Sequence, residues 1–216
     1  PGFGSVAKYN AVSILEGGRD VESMQRDSTK VFVLESMGRN AGWIVAATGL
    51  SHRNPKDAPH IILFPEIIFD EQKFLARVED IIKKFGFCSV AVSEGIRNKD
   101  GKFIAESGLV DAFGHSQLGG AGISISSLIN KNLKLKTHTA ILDYCQRSGR
   151  HLASETDVEQ AVACGEKAVE FAINGLSGKM VTIIRESNDP YQWSIGYTDI
   201  INIANKEKKL PKEYIA

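Results

Sequence analysis

Two arginines and a glutamate stand where short apolar runs end. Arg39 sits in Glu35-Ser36-Met37-Gly38-Arg39-Asn40, between Val31 to Leu34 and a second apolar run, Trp43 to Ala47. Glu66 follows His60 to Phe64 through Pro65. Arg147 comes soon after Thr137 to Leu142, in Asp143-Tyr144-Cys145-Gln146-Arg147-Ser148. A strand-to-helix turn needs a glycine for tightness but has no need of a guanidinium, so Arg39 is placed for something arriving from outside. A guanidinium offers paired donors that match the oxygens of a phosphate. The start of a helix adds free N–H groups and a favourable dipole. A carboxylate accepts from neutral hydroxyls. Two arginines and Glu66 on one rim would therefore suit a phosphorylated polyol.

Plainer readings compete with this one. A single arginine at a strand end is ordinarily solvated or salt-bridged. Glu66 after Pro65 equally suits capping the next turn, and Asp143 serves as well to orient Arg147 as to touch a ligand. Ser93-Glu94-Gly95 reads as a turn with a structural carboxylate. Gly119-Gly120-Ala121-Gly122 lacks the Gly-Lys-Ser/Thr ending of a phosphate loop, so close helix packing is the better account.

The elements that must carry these groups are legible from periodicity. Short strands are expected at Val31 to Leu34, His60 to Phe64, Cys88 to Val92, Thr137 to Leu142 and Met180 to Ile184. Glu71 to Phe85 carries Phe74, Leu75, Val78, Ile81 and Ile82 at helical spacing. Ser5 is expected to cap a helix from Val6 to Glu16 that closes at Gly17-Gly18. Further helices are expected at Ala41 to Leu50, from Gly122, and from a Ser154 cap to Asn174. Asn98 to Gly101 reads as a turn. Near-continuous apolar strands alternating with helices predict a three-layer α/β fold with a mostly parallel sheet. In such sheets ligands bind beyond the carboxyl ends of the strands, where all three charged groups fall.

Composition excludes some classes. Among 216 residues, Lys+Arg and Asp+Glu balance at 26 each, so no overall field favours nucleic acid or an acidic membrane. No apolar stretch is long enough to span a bilayer. The histidines lack HxxxH or HExxH spacing, which gives a histidine-bound metal no support. Cys88, Cys145 and Cys164 form no CxxC and read as reduced, buried thiols of a cytoplasmic protein.

Taken together the segments resemble the phosphofructokinase family. "PGFGSVAKYNAVS", "KVFVLESMGRNAGWIVAATGL", "LFPE", "VSEGI", "GHSQLGGAG", "DYCQRSGRHLASETDVEQA" and "DPYQW…IANKEK" occur in family order across nearly the whole chain. The Met-Gly-Arg, Pro-Glu and Gln-Arg elements are the specific ones. The resemblance implies transfer of a phosphoryl group from pyrophosphate or ATP to fructose 6-phosphate in glycolysis, with Mg2+. It implies that Met37, Gly38 and Arg39 hold the sugar phosphate and that Arg39 also faces the transferring phosphoryl group. Glu66 would accept from sugar hydroxyls, and Arg147 would bind the 6-phosphate.

Some positions depart from the ATP-dependent pattern. Lys30 stands where many members have an arginine that reaches the phosphate across a subunit boundary. His138 replaces a second such arginine, and Tyr144 replaces a histidine before Gln-Arg. These replacements look like the pyrophosphate-using branch, and the boundary-crossing positions imply a homo-oligomer. The Gly-Gly-Asp-Gly-Ser donor loop and the Thr-Ile-Asp-Asn-Asp segment with the base do not occur here, and the resemblance places them before Pro1. The expectation is a sugar-phosphate lobe over residues 1–145 and a returning part of the donor lobe over 146–216, inactive alone. Rival readings are a non-catalytic sugar-phosphate sensor and an unrelated Rossmann-like module, though no GxGxxG follows a strand.

Overall fold

The computed structural model describes residues 2–104, 106–110 and 116–215. Of the segments that carry the resemblance, Pro1, Gly114 and His115 lie outside the described residues. Strands β1 (Val31–Ser36), β2 (Ile61–Leu63), β3 (Cys88–Ser93) and β6 (Thr137–Ile141) form one sheet in the order β2-β3-β1-β6. All three pairings are parallel. Helices α1 (Phe3–Met24) and α2 (Trp43–Ala47) cover one face; α3 (Glu71–Phe85) and α4 (Ala121–Leu133) cover the other. The three-layer architecture predicted from the sequence is present.

Alternation along the strands decides which side chain meets which layer. Val31, Val33, Cys88, Val90 and Val92 pack with Phe74, Val78 and Ile81 of α3 and with Ile125 and Ile129 of α4. Leu34 and Ala91 point the other way, to Ile14 of α1 and Val45 of α2. Each such aliphatic side chain, fully buried, contributes about 1.5–3 kcal/mol. Helix α3 has the bounds its periodicity predicts. Asp70 Oδ1 accepts from the Lys73 amide at its start, and Gly86 (φ +84°) closes it in the left-handed conformation that glycine adopts freely.

Several expectations need correction. Helix α1 does not stop at Gly17-Gly18 but runs on to Met24. A Cβ on Gly17 would stand 2.3 Å from the Phe32 ring, and one on Gly18 would stand 2.5 Å from Ala58 Cβ. These glycines let the helix lie close on the sheet, which offsets a propensity cost of about 1 kcal/mol each. The run from Ala41 to Leu50 gives only the short α2, followed by a 3-10 turn, Thr48–Ser51. The expected fifth strand is β7 (Lys179–Asn188), which pairs antiparallel with β8 (Tyr191–Asp199) in a hairpin apart from the four-stranded sheet. A further hairpin, β4 (Glu106–Val110) with β5 (Ser116–Leu118), had no signal in the sequence reading. Cys88 is buried as expected, but Cys145, in the short helix α5 (Cys145–Ser148), is exposed.

Helix α6 (Glu155–Ile173) starts after Ser154, but the Ser154 side chain makes no cap. Its amide instead donates to Ser5 Oγ (2.9 Å). Asp157 Oδ2 in turn accepts from the Ser5 amide (2.5 Å) and hydroxyl (2.6 Å). The first turns of α1 and α6 thus cap each other across 152 residues of chain.

Beneath the sheet, His60 Nδ1 accepts from the Ser89 amide (3.0 Å), which leaves its proton on Nε2. Phe85 and Phe87 flank the ring at 5.6 and 5.0 Å. Burial, then the neighbouring His52, lowers its pKa to about 4. The unfolded chain protonates this imidazole near the ordinary value of about 6.5. Stability is therefore full above pH 6.5 and is expected to fall as pH drops from about 6.5 to about 4, by on the order of 2 kcal/mol after allowing for partial exposure. Urea unfolding across that range checks this. A His60→Gln chain that loses stability as steeply as wild type would refute it.

Candidate functional site

The register of the sheet builds the rim. Ser36 at the end of β1 lies level with Ser93 at the end of β3. Parallel pairing therefore carries Met37-Gly38-Arg39 and Glu94-Gly95 out of the sheet side by side. Their contacts are specific. The Gly38 amide donates to Glu94 Oε1 (3.1 Å), and Ser93 Oγ donates to the Gly38 carbonyl (2.5 Å) while accepting from the Gly95 amide (3.2 Å). Gly38 has φ +143°, accessible to glycine without strain. Gly95 approaches so closely that a Cβ there would stand 1.8 Å from the Arg39 carbonyl oxygen. The loop is held by its backbone. The Arg39 side chain is not: among the described residues its guanidinium, on a half-exposed residue, makes no hydrogen bond or ion pair.

Glu66 stands at the end of β2, but its carboxylate is half committed. Oε1 accepts from the Gly42 amide (2.8 Å) and from the Leu210 amide (2.9 Å). Oε2 is buried and without a partner among the described residues. The Gly42 amide at the start of α2 is thus already taken. A five-residue helix adds little dipole, so the anion field expected there rests mainly on Arg39 itself.

Glu94, read from the sequence as the structural carboxylate of a turn, has that role: it accepts from the Met-Gly-Arg loop. Sequence reasoning missed a second carboxylate. Glu35, the first residue of the motif, is almost wholly buried and accepts from the Gly120 (3.0 Å) and Gly122 (2.7 Å) amides at the start of α4. Burial raises its pKa, against the lowering effect of those two amides. A charged residue inside an otherwise apolar strand was the available signal. Close packing accounts for Gly122, where a Cβ would stand 2.9 Å from the Thr139 methyl and 3.2 Å from Glu35 Cβ, but not for Gly119 and Gly120, which have open space and positive φ (+144° and +94°) instead.

Other expected site residues are spread over the sheet. Tyr144 and Arg147 are exposed just past β6, the neighbour of β1, and the Arg147 guanidinium lies 5.0 Å from the Tyr144 ring centroid. Asp143 makes no ion pair with Arg147. Arg147 lines a cavity between α1 and α6 with Ser5, Arg150 and Asp157. Lys30 and His138 lie at the opposite, amino end of the sheet. The Lys30 amide bonds to Lys136 and its side chain to the Gln25 carbonyl, while His138 pairs with Phe32 on the edge strand. Within one chain the structure groups Met37, Gly38, Arg39 and Glu94, and sets Lys30 and His138 far from them.

A parallel sheet between helix layers, with a backbone-locked loop at the carboxyl ends whose guanidinium is unpaired among the described residues, defines a three-layer α/β protein. The chain belongs to the phosphofructokinase family, whose profile, "Phosphofructokinase", matches residues 1–172. It is 53% identical over its whole length to the pyrophosphate–fructose 6-phosphate 1-phosphotransferase of Halomonas elongata, covering 51% of that protein. The enzyme of the same name from Methylococcus capsulatus is 52% identical, again with 51% covered. A solved pyrophosphate-dependent phosphofructokinase from Nitrosospira multiformis superposes with TM-score 0.83 at 51% identity, over all of this chain and 50% of that one. The chain spans about half the length of the relatives it matches.

Proposed function

We propose that the protein containing this chain transfers a phosphoryl group from pyrophosphate to the 1-hydroxyl of fructose 6-phosphate. The observation that carries this is Arg39: its backbone is fixed by β3 and its guanidinium is unpaired among the described residues. A preorganised cation of this kind suits phosphoryl transfer, where catalysis is mostly positioning and neutralisation of spreading charge. Glu94 and the unpartnered Oε2 of Glu66 offer acceptors for sugar hydroxyls, and Arg147 offers a fork for the 6-phosphate. The names of the half-identical relatives favour pyrophosphate over ATP. Lys30 and His138, at the far end of the sheet, suit service to a neighbouring subunit's site in a homo-oligomer.

On this reading residues 1–145 form the sugar-phosphate lobe and residues 146–216 return toward the donor lobe. Exposed Val162, Val169 and Ile173 on α6 give the second part an apolar face. Among the described residues no group of three His, Cys, Asp or Glu is placed to hold a metal; the Mg2+ expected for such a reaction is commonly held by one or two carboxylates together with substrate phosphates. No described helix is long and apolar enough to cross a membrane, and a cytoplasmic location is part of the proposal.

The test is a coupled assay of fructose 1,6-bisphosphate formed by the full-length protein with pyrophosphate and, separately, with ATP. Turnover with pyrophosphate is expected to exceed that with ATP by about 10²-fold or more. Absence of turnover with either donor would overturn the reading in favour of a sugar-phosphate sensor.

A further inference from the structure

The segment 205–215 crosses back over the rim and touches it at four points. The Asn40 side-chain amide donates to Glu207 Oε1. The Trp43 indole N–H donates to the Lys208 carbonyl (2.7 Å). The Leu210 amide donates to Glu66 Oε1, and the Leu210 side chain is buried. Tyr214 meets Trp43 edge to face, with centroids 6.3 Å apart. Every one of these contacts falls on residues 40–43 or on Glu66, the residue that pins Gly42. Asn40 is also held from the other side, because Arg97 donates to its Oδ1 (3.2 Å) while reaching the Gly101 carbonyl (2.9 Å) and lying 3.7 Å from the Phe103 ring centroid.

Arg39 is therefore bracketed. Before it, Gly38 is fastened to Ser93 and Glu94; after it, Asn40 is fastened to Arg97 and Glu207. We infer that residues 205–215 are a positioning strap for the sugar-phosphate loop, with Asn40–Glu207 as its latch and the Leu210 amide as the contact that fixes the Glu66 carboxylate. None of the strap residues need touch substrate. Their effect passes through Asn40 to the Arg39 backbone, and through Glu66 Oε1 to the orientation of Oε2. A loop pinned only at Gly38 would keep its fold but sample several Arg39 placements, and binding would pay the ordering cost.

The inference rests on the proposed function for its substrate, and the test separates the two. In the full-length protein, Asn40→Asp keeps the acceptor for Arg97 but sets a carboxylate against Glu207. Glu207→Gln alone retains an acceptor for Asn40, and in the double variant its amide donates to the new aspartate. Asn40→Asp is expected to raise KM for fructose 6-phosphate about five- to ten-fold with kcat within about two-fold, and the double variant to return KM to within about two-fold of wild type. Amide exchange in residues 37–43 and 205–215 is expected to quicken in Asn40→Asp and recover in the double variant. Failure of Glu207→Gln to restore KM would overturn the inference, since the added charge beside Arg39 would then act alone. Faster exchange with unchanged KM, or no change in either, would overturn it equally. If the wild-type protein turns over no fructose 6-phosphate, the proposed function falls. The exchange of residues 37–43 across the four proteins then decides the strap by itself.

Discussion

Arg39→Ala in the full-length protein is expected to lower kcat by about 10²–10³-fold while KM for fructose 6-phosphate rises by no more than about ten-fold. The reason is the division of labour at the rim. The loop backbone is fixed by Ser93, Glu94 and the close approach of Gly95, so truncating the side chain leaves the loop in place. What is lost is a cation with no competing partner among the described residues, available to charge that develops during transfer. Arg39→Lys is expected to recover only part of the rate, since an ammonium lacks the planar fork. Steady-state kinetics with sugar phosphate varied at saturating donor makes the comparison. A rise in KM at constant kcat would make Arg39 a ground-state clamp and defeat the assignment.

Gly95→Ala is expected to be as damaging without removing any polar group. The added methyl would stand 1.8, 2.5 and 2.8 Å from the carbonyl oxygen, carbonyl carbon and Cα of Arg39. All three are backbone atoms, so no side chain can turn aside. The loop must move or β3 must break its pairing with β1, at about 3 kcal/mol or more. Displacing the guanidinium by about 1 Å would cost about 10²-fold in kcat/KM. Gly101→Ala is the control: Gly101 has φ +75° but nothing within 4 Å of the added methyl, so only about 1 kcal/mol of backbone strain is expected. Urea unfolding and kcat/KM of both variants test the pair. A Gly95→Ala protein with wild-type kcat/KM would show that the loop position does not matter.

Features encoded locally were legible before the structure. Helix α3 is bounded by an aspartate cap and a glycine stop, and its apolar spacing leaves one register, so its ends are where the sequence places them. Glycine misled because it serves two ends: Gly86 stops a helix, whereas Gly17 and Gly18 sit inside one and let it approach the sheet. Met180 to Ile184 has the composition of a strand, but composition does not name a partner. β7 found β8 rather than the parallel sheet.

At the site, Arg39 could be picked out because its guanidinium had no local structural use. The partnership of Glu94 with Gly38 could not, since it joins residues 56 apart through the register of β1 and β3. The second claim on Glu66 comes from Leu210, 144 residues away. A carboxylate that looks free for a ligand can thus be spoken for by a distant amide.

The mutual capping of Ser5 and Asp157 bears on how the chain is made. The acceptor for the Ser5 amide and hydroxyl is synthesised 152 residues later, which at cellular elongation rates of about 5–20 residues per second is roughly 8–30 s. During that interval the first turn of α1 has no acceptor from Asp157, and for most of it, until Ile141 is made, β1 lacks its complete neighbour β6. Helix elongation and loop closure finish in microseconds or less, so the ribosome rather than the chain sets the pace of assembly. Synonymous codon changes that slow translation between β1 and α6 are therefore expected to prolong the nascent chain's exposure to chaperones and proteases, while leaving refolding of the purified protein untouched.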